Sequence, residues 1–312
     1  MIREHLRRGL SIACLLCLPH LVGAQAAAAP SATAPSSGAQ NANLTPFPPF
    51  EIVHNGYYVG SQDQSSYLIK TRAGLILINS GYAASVPLIE QSVQKLGFKF
   101  SDIKVLLISH AHIDHDSGSA AIVKQTGAKY EVMDADVSVV ESGGKTDFQN
   151  GKIPSEQYAP VHVDRVLHDD DHVTLGGTVL TAHLTGGHTK GCTTWTWDEQ
   201  QGGRTLHVLV LCGVAASAGE NGAYKLLNNP DYPQIVSDFE HSFALLPTLP
   251  CDVFLGAHGR YFDLKDKYAR LQAGDKDAFV DPQGYLAYVA KAKQDFEREL
   301  QQQTGAAAST RP

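Results

Sequence analysis

The chain has 312 residues, of which 43% are hydrophobic and 18% charged. This composition is typical of a folded protein with a sizeable core and excludes a wholly disordered chain. The formal net charge of -7 and the lack of a basic stripe argue against nucleic-acid binding. Fourteen histidines are a high count, which fits a metal protein.

The N-terminal segment has the order of a secretory signal. Arg3, Arg7 and Arg8 precede the apolar segment 10–22, and small residues follow it. That segment is too short for a membrane span, which needs about 20 residues. We therefore predict a signal peptide over residues 1–26, export to the periplasm, and no membrane attachment after cleavage.

Removal of the signal would leave three of the five cysteines, Cys192, Cys212 and Cys251. In an oxidising compartment, three cysteines permit one disulfide and one spare thiol. Cys14, inside the signal, is an alternative lipoprotein site, but the short apolar stretch before it fits that interpretation poorly.

The rest of the chain divides into a linker, one domain and a tail. Residues 27–48 are rich in Ala, Pro and Ser without apolar periodicity, which predicts a flexible linker. A single domain is expected over residues 49–303. Residues 304–312 are expected to form a disordered tail.

Within the domain, strands and helices alternate in two similar halves. The first half has predicted strands at 51–53, 57–59, 66–69, 75–78 and 103–108, helices at 85–96 and 117–126, and a further unit at 130–133. A polar, loop-like stretch at 142–158 follows. The second half has predicted strands at 165–167, 172–175, 179–184, 192–197, 206–211 and 253–255, and helices at 231–246 and 282–303. Two sheets packed face to face with helices outside, a four-layer αββα sandwich of the α/β class, is the natural packing.

Four potential metal ligands lie directly after the apolar run 105–108, which predicts a buried strand. They are His110, His112, Asp114 and His115. Ligands of open α/β sheets bind at the carboxyl ends of strands. His110 and His112 are two residues apart and can point the same way from extended backbone, whereas Asp114 and His115 can point elsewhere. One loop can therefore serve two metal ions.

Two further histidines, His188 and His258, each follow a predicted strand and lie beside glycine. Together with the first four residues they make six ligands, enough for two sites of three protein groups each. Three protein ligands plus solvent are typical of catalytic zinc. The remaining candidates are expected at surface or strand positions: His162, His168, His172, His183, His207 and His241.

The motif His110-x-His112-x-Asp114-His115, with the downstream His188 and His258 segments, resembles the metallo-β-lactamase superfamily over about residues 50–290. The segment 163–191 closely resembles the zinc β-lactamases of subclass B3. This resemblance implies the αββα fold and two Zn²⁺ ions. It implies that the first zinc is bound by His110, His112 and His188, and the second by Asp114, His115 and His258.

The resemblance also implies an activity, that of a zinc-dependent β-lactamase (EC 3.5.2.6) conferring resistance to penicillins, cephalosporins and carbapenems. A water shared by two metal ions, with its pKa lowered to about 7, would attack the lactam carbonyl. Asp114 would bind zinc and also orient this water. A monomer acting on a small-molecule substrate is expected. The alternatives are a zinc hydrolase of a thioester or lactone on the same fold, and a noncatalytic zinc-binding export protein.

Several positions depart from the family pattern. Asn79 stands where family members usually have Asp, so the support of the ligand loop is expected to differ. Gly213 and Ala215 replace serines that help to hold the substrate carboxylate or a water. Cys212 stands where hydrolases such as glyoxalase II need Asp, which disfavours that activity.

Cys212 has three open interpretations: a zinc ligand, a disulfide with Cys192 on the neighbouring strand, or an inert buried thiol. Cys251 has no evident partner. Four residues are candidate substrate contacts, two from the early hairpin and two from the segment after Cys212, for which an ordinary loop position is the alternative: Tyr58, Gln62, Lys225 and Asn228.

Overall fold

The computed structural model describes residues 42–217 and 222–309. The predicted signal peptide 1–26 and most of the predicted linker lie outside these residues. Pro46 already pairs with Ser61, and the ring of Phe47 packs against Phe50 and Tyr58. The domain therefore begins before the predicted residue 49, because the apolar Phe47 is drawn into the core.

Seven strands form the first sheet, in the same order in space as in the chain. The first four pair antiparallel and the last four parallel, so the sheet is mixed. The apolar runs of the central strands are buried on both faces, as expected where both faces are covered. The strands are β1 (Phe50–Val53), β2 (Gly56–Tyr58), β3 (Tyr67–Thr71), β4 (Gly74–Ile78), β5 (Ile103–Leu107), β6 (Lys129–Met133) and β7 (Arg165–Leu167).

Five strands form the second sheet, in the order β12-β11-β10-β9-β8. The pair β11–β12 is parallel and the other pairs are antiparallel, so this sheet is also mixed. Trp195 of β10 donates its indole N–H to the carbonyl of Ile108, just after β5, at 2.9 Å, and this bond ties the two sheets together. The strands are β8 (His172–Leu175), β9 (Thr178–Leu184), β10 (Thr193–Gln201), β11 (Arg204–Leu211) and β12 (Val253–Gly256).

Helices cover the outer face of each sheet. The helices α1, α3 and α4 pack on the first sheet around a core that includes Leu77 and Leu106. On the second sheet, Phe296 of α7 packs on Phe239 of α5, and Tyr285 of α7 contacts Phe254 of β12. The helices are α1 (Val86–Lys95), α2 (Ile113–Asp116), α3 (Ser119–Thr126), α4 (Asp134–Ser142), α5 (Ile235–Leu245), α6 (Leu264–Gln272) and α7 (Pro282–Ser309). The predicted αββα arrangement of the α/β class is confirmed.

The structure differs from the sequence expectations mainly in its helices. The helix α4 was not predicted because its valines favour strand, and α6 because its sequence, LKDKYARLQ, is mostly polar. The last helix continues to Ser309, past the predicted tail boundary at 304, since its final turns are rich in Gln and Ala, which favour helix. Within the described ranges, no helix combines the length and hydropathy of a membrane span.

Candidate metal centre and active site

Three chain segments bring the six predicted metal ligands to one edge of the sandwich. One segment follows β5 and contains α2, the second follows β9, and the third follows β12. Each begins where a strand ends, so the ligands project from positions fixed by the sheets. The five histidines among them are at most 9% exposed.

The first three ligands form a triangle of imidazole rings. The ring centroids of His110 and His112 are 4.9 Å apart. The centroid of the His188 ring lies 4.7 Å from that of His110 and 4.8 Å from that of His112. One nitrogen of each ring lies within 4.8 Å of the others. This is the geometry of three side chains that can converge on a single cation.

The other three ligands lie beside this triangle. The Asp114 Oδ2 atom is 3.2 Å from His115 Nε2 and 3.5 Å from His258 Nε2. The His115 ring lies 4.2 Å from the ring of His110 and 4.9 Å from that of His258. His110 is also close enough to form a group with Asp114 and His115. The two ligand sets therefore adjoin, which suits two neighbouring cations.

Burial sets the protonation states of these ligands. It lowers the pKa of His112 to about 4 and that of His188 to about 3, and it holds the pKa of His110 well below its usual value. Burial alone would raise the pKa of Asp114, but the nearby His115 and His258 outweigh it and lower this pKa. At neutral pH the rings of His110, His112 and His188 are thus neutral and the carboxylate is ionised.

These are the forms in which imidazole and carboxylate bind metal. His112 Nε2 is also buried without a hydrogen-bond partner in the described part of the chain. Three neutral ring nitrogens within 4.8 Å of one another, from His110, His112 and His188, fit a divalent cation. Neutral imidazoles with one carboxylate are ligands that suit zinc.

The ring of His188 is oriented by backbone. Its Nδ1 donates to the carbonyl of Ala215 at 2.8 Å, which leaves Nε2 as the free nitrogen. The Tyr224 hydroxyl donates to the His188 carbonyl at 3.0 Å. A Cβ atom at position 213 would overlap the His188 ring, so Gly213 makes room for this ligand. Both positions that depart from the family pattern therefore support His188: Gly213 leaves space for its ring, and the Ala215 carbonyl accepts its hydrogen bond.

His258 is oriented by a carboxylate that lies 195 residues away in sequence, that of Asp63. Asp63 Oδ2 lies 3.1 Å from His258 Nδ1, and Arg260 pairs with the same carboxylate. Burial alone would raise the pKa of Asp63, but bonds to His258 and Arg260 outweigh it and lower this pKa to about 2. An ionised Asp63 holds the proton of His258 on Nδ1 and leaves Nε2 facing Asp114.

Asn79 supports the ligand loop with both ends of its amide. Its Oδ1 accepts the N–H of Ser109 at 2.7 Å, and its Nδ2 donates to the carbonyl of Ser65 at 3.3 Å. A carboxylate could accept the first bond but not donate the second. The support thus differs from that of a family Asp, as the sequence led us to expect.

Asp136, a buried residue of α4, joins two of the ligand segments. Its Oδ2 accepts from the Ala111 N–H at 3.0 Å and the Thr189 hydroxyl at 2.8 Å, and its Oδ1 accepts from the Gly191 N–H at 2.8 Å. Burial raises its pKa to about 6. Neither Asp136 nor Asp63 was identified from sequence, because nothing local to them signals a partner so far along the chain.

The cysteines near the site are joined to each other. Cys192 and Cys212 form a disulfide with their Cα atoms 6.0 Å apart, and Cys212 Sγ lies 3.6 Å from His110 Nδ1. As half of a disulfide, Cys212 presents no thiolate to a metal. Cys251 is a free cysteine, and burial raises the pKa of its thiol to about 12.

The four candidate substrate contacts lie in different environments. Tyr58 is fully buried and donates its hydroxyl to the Ser61 carbonyl at 2.6 Å, so its assignment to the cleft is corrected: it is a core residue. Gln62 accepts a hydrogen bond from Lys265 at 3.0 Å. Lys225 and Asn228 are exposed, in the segment that Tyr224 anchors to His188.

Among the residues that the structure describes, the other histidines are half-buried or exposed and belong to none of the ligand groups. They lie on strands, loops or helix α5, and several pair with nearby carboxylates, as His162 does with Glu141 at 2.9 Å.

Comparisons with known proteins show which family this chain resembles. A family model described as the metallo-beta-lactamase superfamily matches residues 59–202. The native FEZ-1 metallo-beta-lactamase from Legionella gormanii is similar, with 51% identity and a TM-score of 0.81, over 84% of this chain and 98% of that one. BJP-1, a subclass B3 metallo-beta-lactamase of Bradyrhizobium japonicum, has 35% identity and a TM-score of 0.80, over 86% and 99%. The metallo-beta-lactamase GOB-18 from Elizabethkingia meningoseptica has 33% identity and a TM-score of 0.76, over 90% and 100%.

The bracing role of Asp136 can be tested with Asp136→Asn. The amide keeps the size but offers one accepting oxygen where the carboxylate offers two, so at least one of three buried donors loses its partner. We expect a loss of about 1–3 kcal/mol in the free energy of unfolding, measured by urea denaturation in EDTA. Asp134→Asn, an exposed change on the same helix, is the control and should cost less than about 0.5 kcal/mol. Equal losses in the two variants would refute the bracing role.

The lowered histidine pKa values predict a pH dependence for the metal-free protein. Between pH 6.5 and 4 the unfolded chain binds protons at His112 and His188, while the folded chain does not, because their folded pKa values are about 4 and 3. Stability from these residues is therefore complete above pH 6.5 and falls as the pH drops. Urea unfolding in EDTA at pH 7, 5.5 and 4.5 should show that the free energy of unfolding falls more steeply with decreasing pH for wild type than for His112→Gln. Parallel curves would contradict the lowered pKa of His112.

Proposed function

Because the chain belongs to the metallo-β-lactamase superfamily, we propose that it is a zinc-dependent β-lactamase (EC 3.5.2.6) that opens the β-lactam ring of penicillins, cephalosporins and carbapenems. The family relationship supports a hydrolase of the β-lactamase kind. The observation that carries the proposal is the convergence of five buried histidines and the partly buried Asp114 in two adjoining sets. Three proteins of similar structure, FEZ-1, BJP-1 and GOB-18, are metallo-beta-lactamases.

The proposed cofactor is two Zn²⁺ ions per chain, one held by His110, His112 and His188, and the other by Asp114, His115 and His258. When bound, such ions supply a water that is acidic enough to act as a nucleophile at neutral pH, and positive charge that polarises a carbonyl. The protein supplies the position of each ligand before substrate arrives.

The chain's own residues prepare this site in three ways. The bonds from His188 to Ala215 and from His258 to Asp63 fix which ring nitrogen is free. Burial keeps His188 neutral and so ready to bind. The ionised Asp114 has lone pairs beyond those facing His115 and His258, so it can accept a hydrogen bond from a water and orient it.

We further propose that the mature protein acts as a periplasmic monomer on a small β-lactam, and thereby confers resistance. The N-terminal order of basic, apolar and small residues supports export. The Cys192–Cys212 disulfide suits an oxidising compartment.

The experiment is an assay panel on the mature, zinc-loaded protein. Nitrocefin, a penicillin and imipenem should be hydrolysed, and EDTA should abolish turnover, with recovery on adding zinc. His258→Ala should lower kcat/KM by more than about 100-fold, because the loss of a ligand exceeds the 10–100-fold typical of its supporting partners. His162→Ala, in an exposed pair with Glu141, is the control and should leave it unchanged.

An acyl thioester and a lactone are assayed in parallel. Hydrolysis of either compound with no turnover of any β-lactam would assign the other hydrolase class and overturn the proposal. Zinc binding without turnover of any substrate would support a noncatalytic zinc-binding protein.

A further inference from the structure

Two consecutive residues, Asp63 and Gln64, contact the two histidines of the second ligand set. The Asp63 carboxylate meets His258, and the Gln64 side-chain amide meets His115. The ring contact of Asp63 is a carboxylate–histidine pair of a familiar kind. The contact of Gln64 has no such ready interpretation, because an amide can either donate or accept.

The backbone holds Gln64 firmly in place. Its N–H donates to the Ser61 hydroxyl at 2.9 Å, and residue 64 forms a bridge with His258. Gly60 packs so closely on the Gln64 carbonyl that a Cβ there would overlap it. The residue is 2% exposed. Its side chain is therefore a fixed neighbour of the His115 ring.

The end of the Gln64 amide that faces the His115 ring decides which ring nitrogen carries the proton. Gln64 Nε2 lies 2.8 Å from His115 Nδ1 and 3.2 Å from Nε2 of the same ring, while Gln64 Oε1 is buried with no hydrogen-bond partner in the described ranges. If Gln64 Nε2 donates to His115 Nδ1, that ring nitrogen must accept, and the proton of the ring must lie on His115 Nε2. His115 Nε2 is 3.2 Å from Asp114 Oδ2. That nitrogen could then not bind a metal.

A half-turn of the amide resolves this conflict. A histidine that binds metal through one nitrogen carries its proton on the other, where an acceptor usually receives it. Turning the amide by 180° about its last torsion exchanges the nitrogen and oxygen with little change of shape. Oε1 would then accept the Nδ1–H of His115, and the ring Nε2 would be free beside Asp114.

We propose that Gln64 is a positioning residue for the second metal, whose amide oxygen accepts the Nδ1–H of His115 and so directs Nε2 of that ring to the cation. This inference rests on the proposed function, since it requires the second ligand set to bind zinc. Asp63 and Gln64 then act as a pair, each fixing the proton of one histidine in the set.

Two substitutions distinguish whether the Gln64 amide accepts the hydrogen bond from His115 or donates one to it. Gln64→Leu keeps the approximate size and removes the acceptor, so zinc affinity at the second set should fall by about 10–100-fold, the usual effect of losing such a partner. Gln64→Glu can only accept when ionised, so it should retain the affinity. If Gln64 instead donated to His115, the ring Nε2 would carry the proton and be unavailable to the metal, so Gln64→Leu would not lower the zinc affinity and Gln64→Glu would raise it.

Zinc binding is measured without substrate, by competition with a chromophoric chelator that resolves two dissociation constants. Gln94→Leu is the matched control, because this exposed glutamine of α1 donates its amide N–H to Glu90 outside the ligand segments, and its two zinc affinities should equal those of the wild type. Thermal melting in EDTA checks that each variant folds. If Gln64→Leu fails to fold, the comparison of Gln64→Glu with wild type alone decides between acceptor and donor.

The outcomes distinguish this inference from the proposed function. Two tight zinc ions in wild type and an unchanged second affinity in Gln64→Leu would overturn the role of Gln64 and leave the proposed function standing. A wild-type protein that binds no second zinc would overturn both. Selective weakening of the second zinc in Gln64→Leu, with retention in Gln64→Glu, supports the inference.

Discussion

The charge of Asp114, whose side chain is only partly exposed, is the feature on which the rest of the site depends. A carboxylate removed from water is costly unless it is paired or bound to a metal. Here one oxygen lies 3.2 and 3.5 Å from ring nitrogens of His115 and His258, and these rings lower the pKa of Asp114. An anion among largely buried imidazoles is a stable arrangement when cations complete it, and this requirement accounts for the placing of the surrounding residues.

The outer contacts of His188, His258 and His115 follow one rule, that a partner holds the ring nitrogen that does not face the proposed metal. Ala215 holds His188 through a backbone carbonyl, and Asp63 holds His258 through a carboxylate. In the inferred arrangement Gln64 does the same for His115 with an amide. Only Asp63 among these partners is charged, and despite burial its bonds to His258 and Arg260 lower its pKa to about 2. Rigid supports of this kind hold the ligand side chains in position, so that little free energy is spent on ordering them when metal binds.

The candidate ligands could be singled out from sequence because they lie in short segments with a recognisable spacing. The supports could not, because they pair residues distant along the chain: Asp63 meets His258, and Asp136 meets Gly191. Residue type alone misled at Tyr58, whose ring belongs to the core, and at α4, whose valines favour strand although the chain forms a helix. At Gly213 the sequence showed a missing serine, while the three-dimensional structure shows the space that His188 needs.

The most direct measurement is anomalous diffraction at the zinc edge from crystals of the mature, zinc-loaded protein. The account predicts two zinc peaks about 3.5–4 Å apart, one within bonding distance of His110, His112 and His188 and the other of Asp114, His115 and His258. A single peak, or peaks with His188 or His258 outside bonding distance, would contradict it.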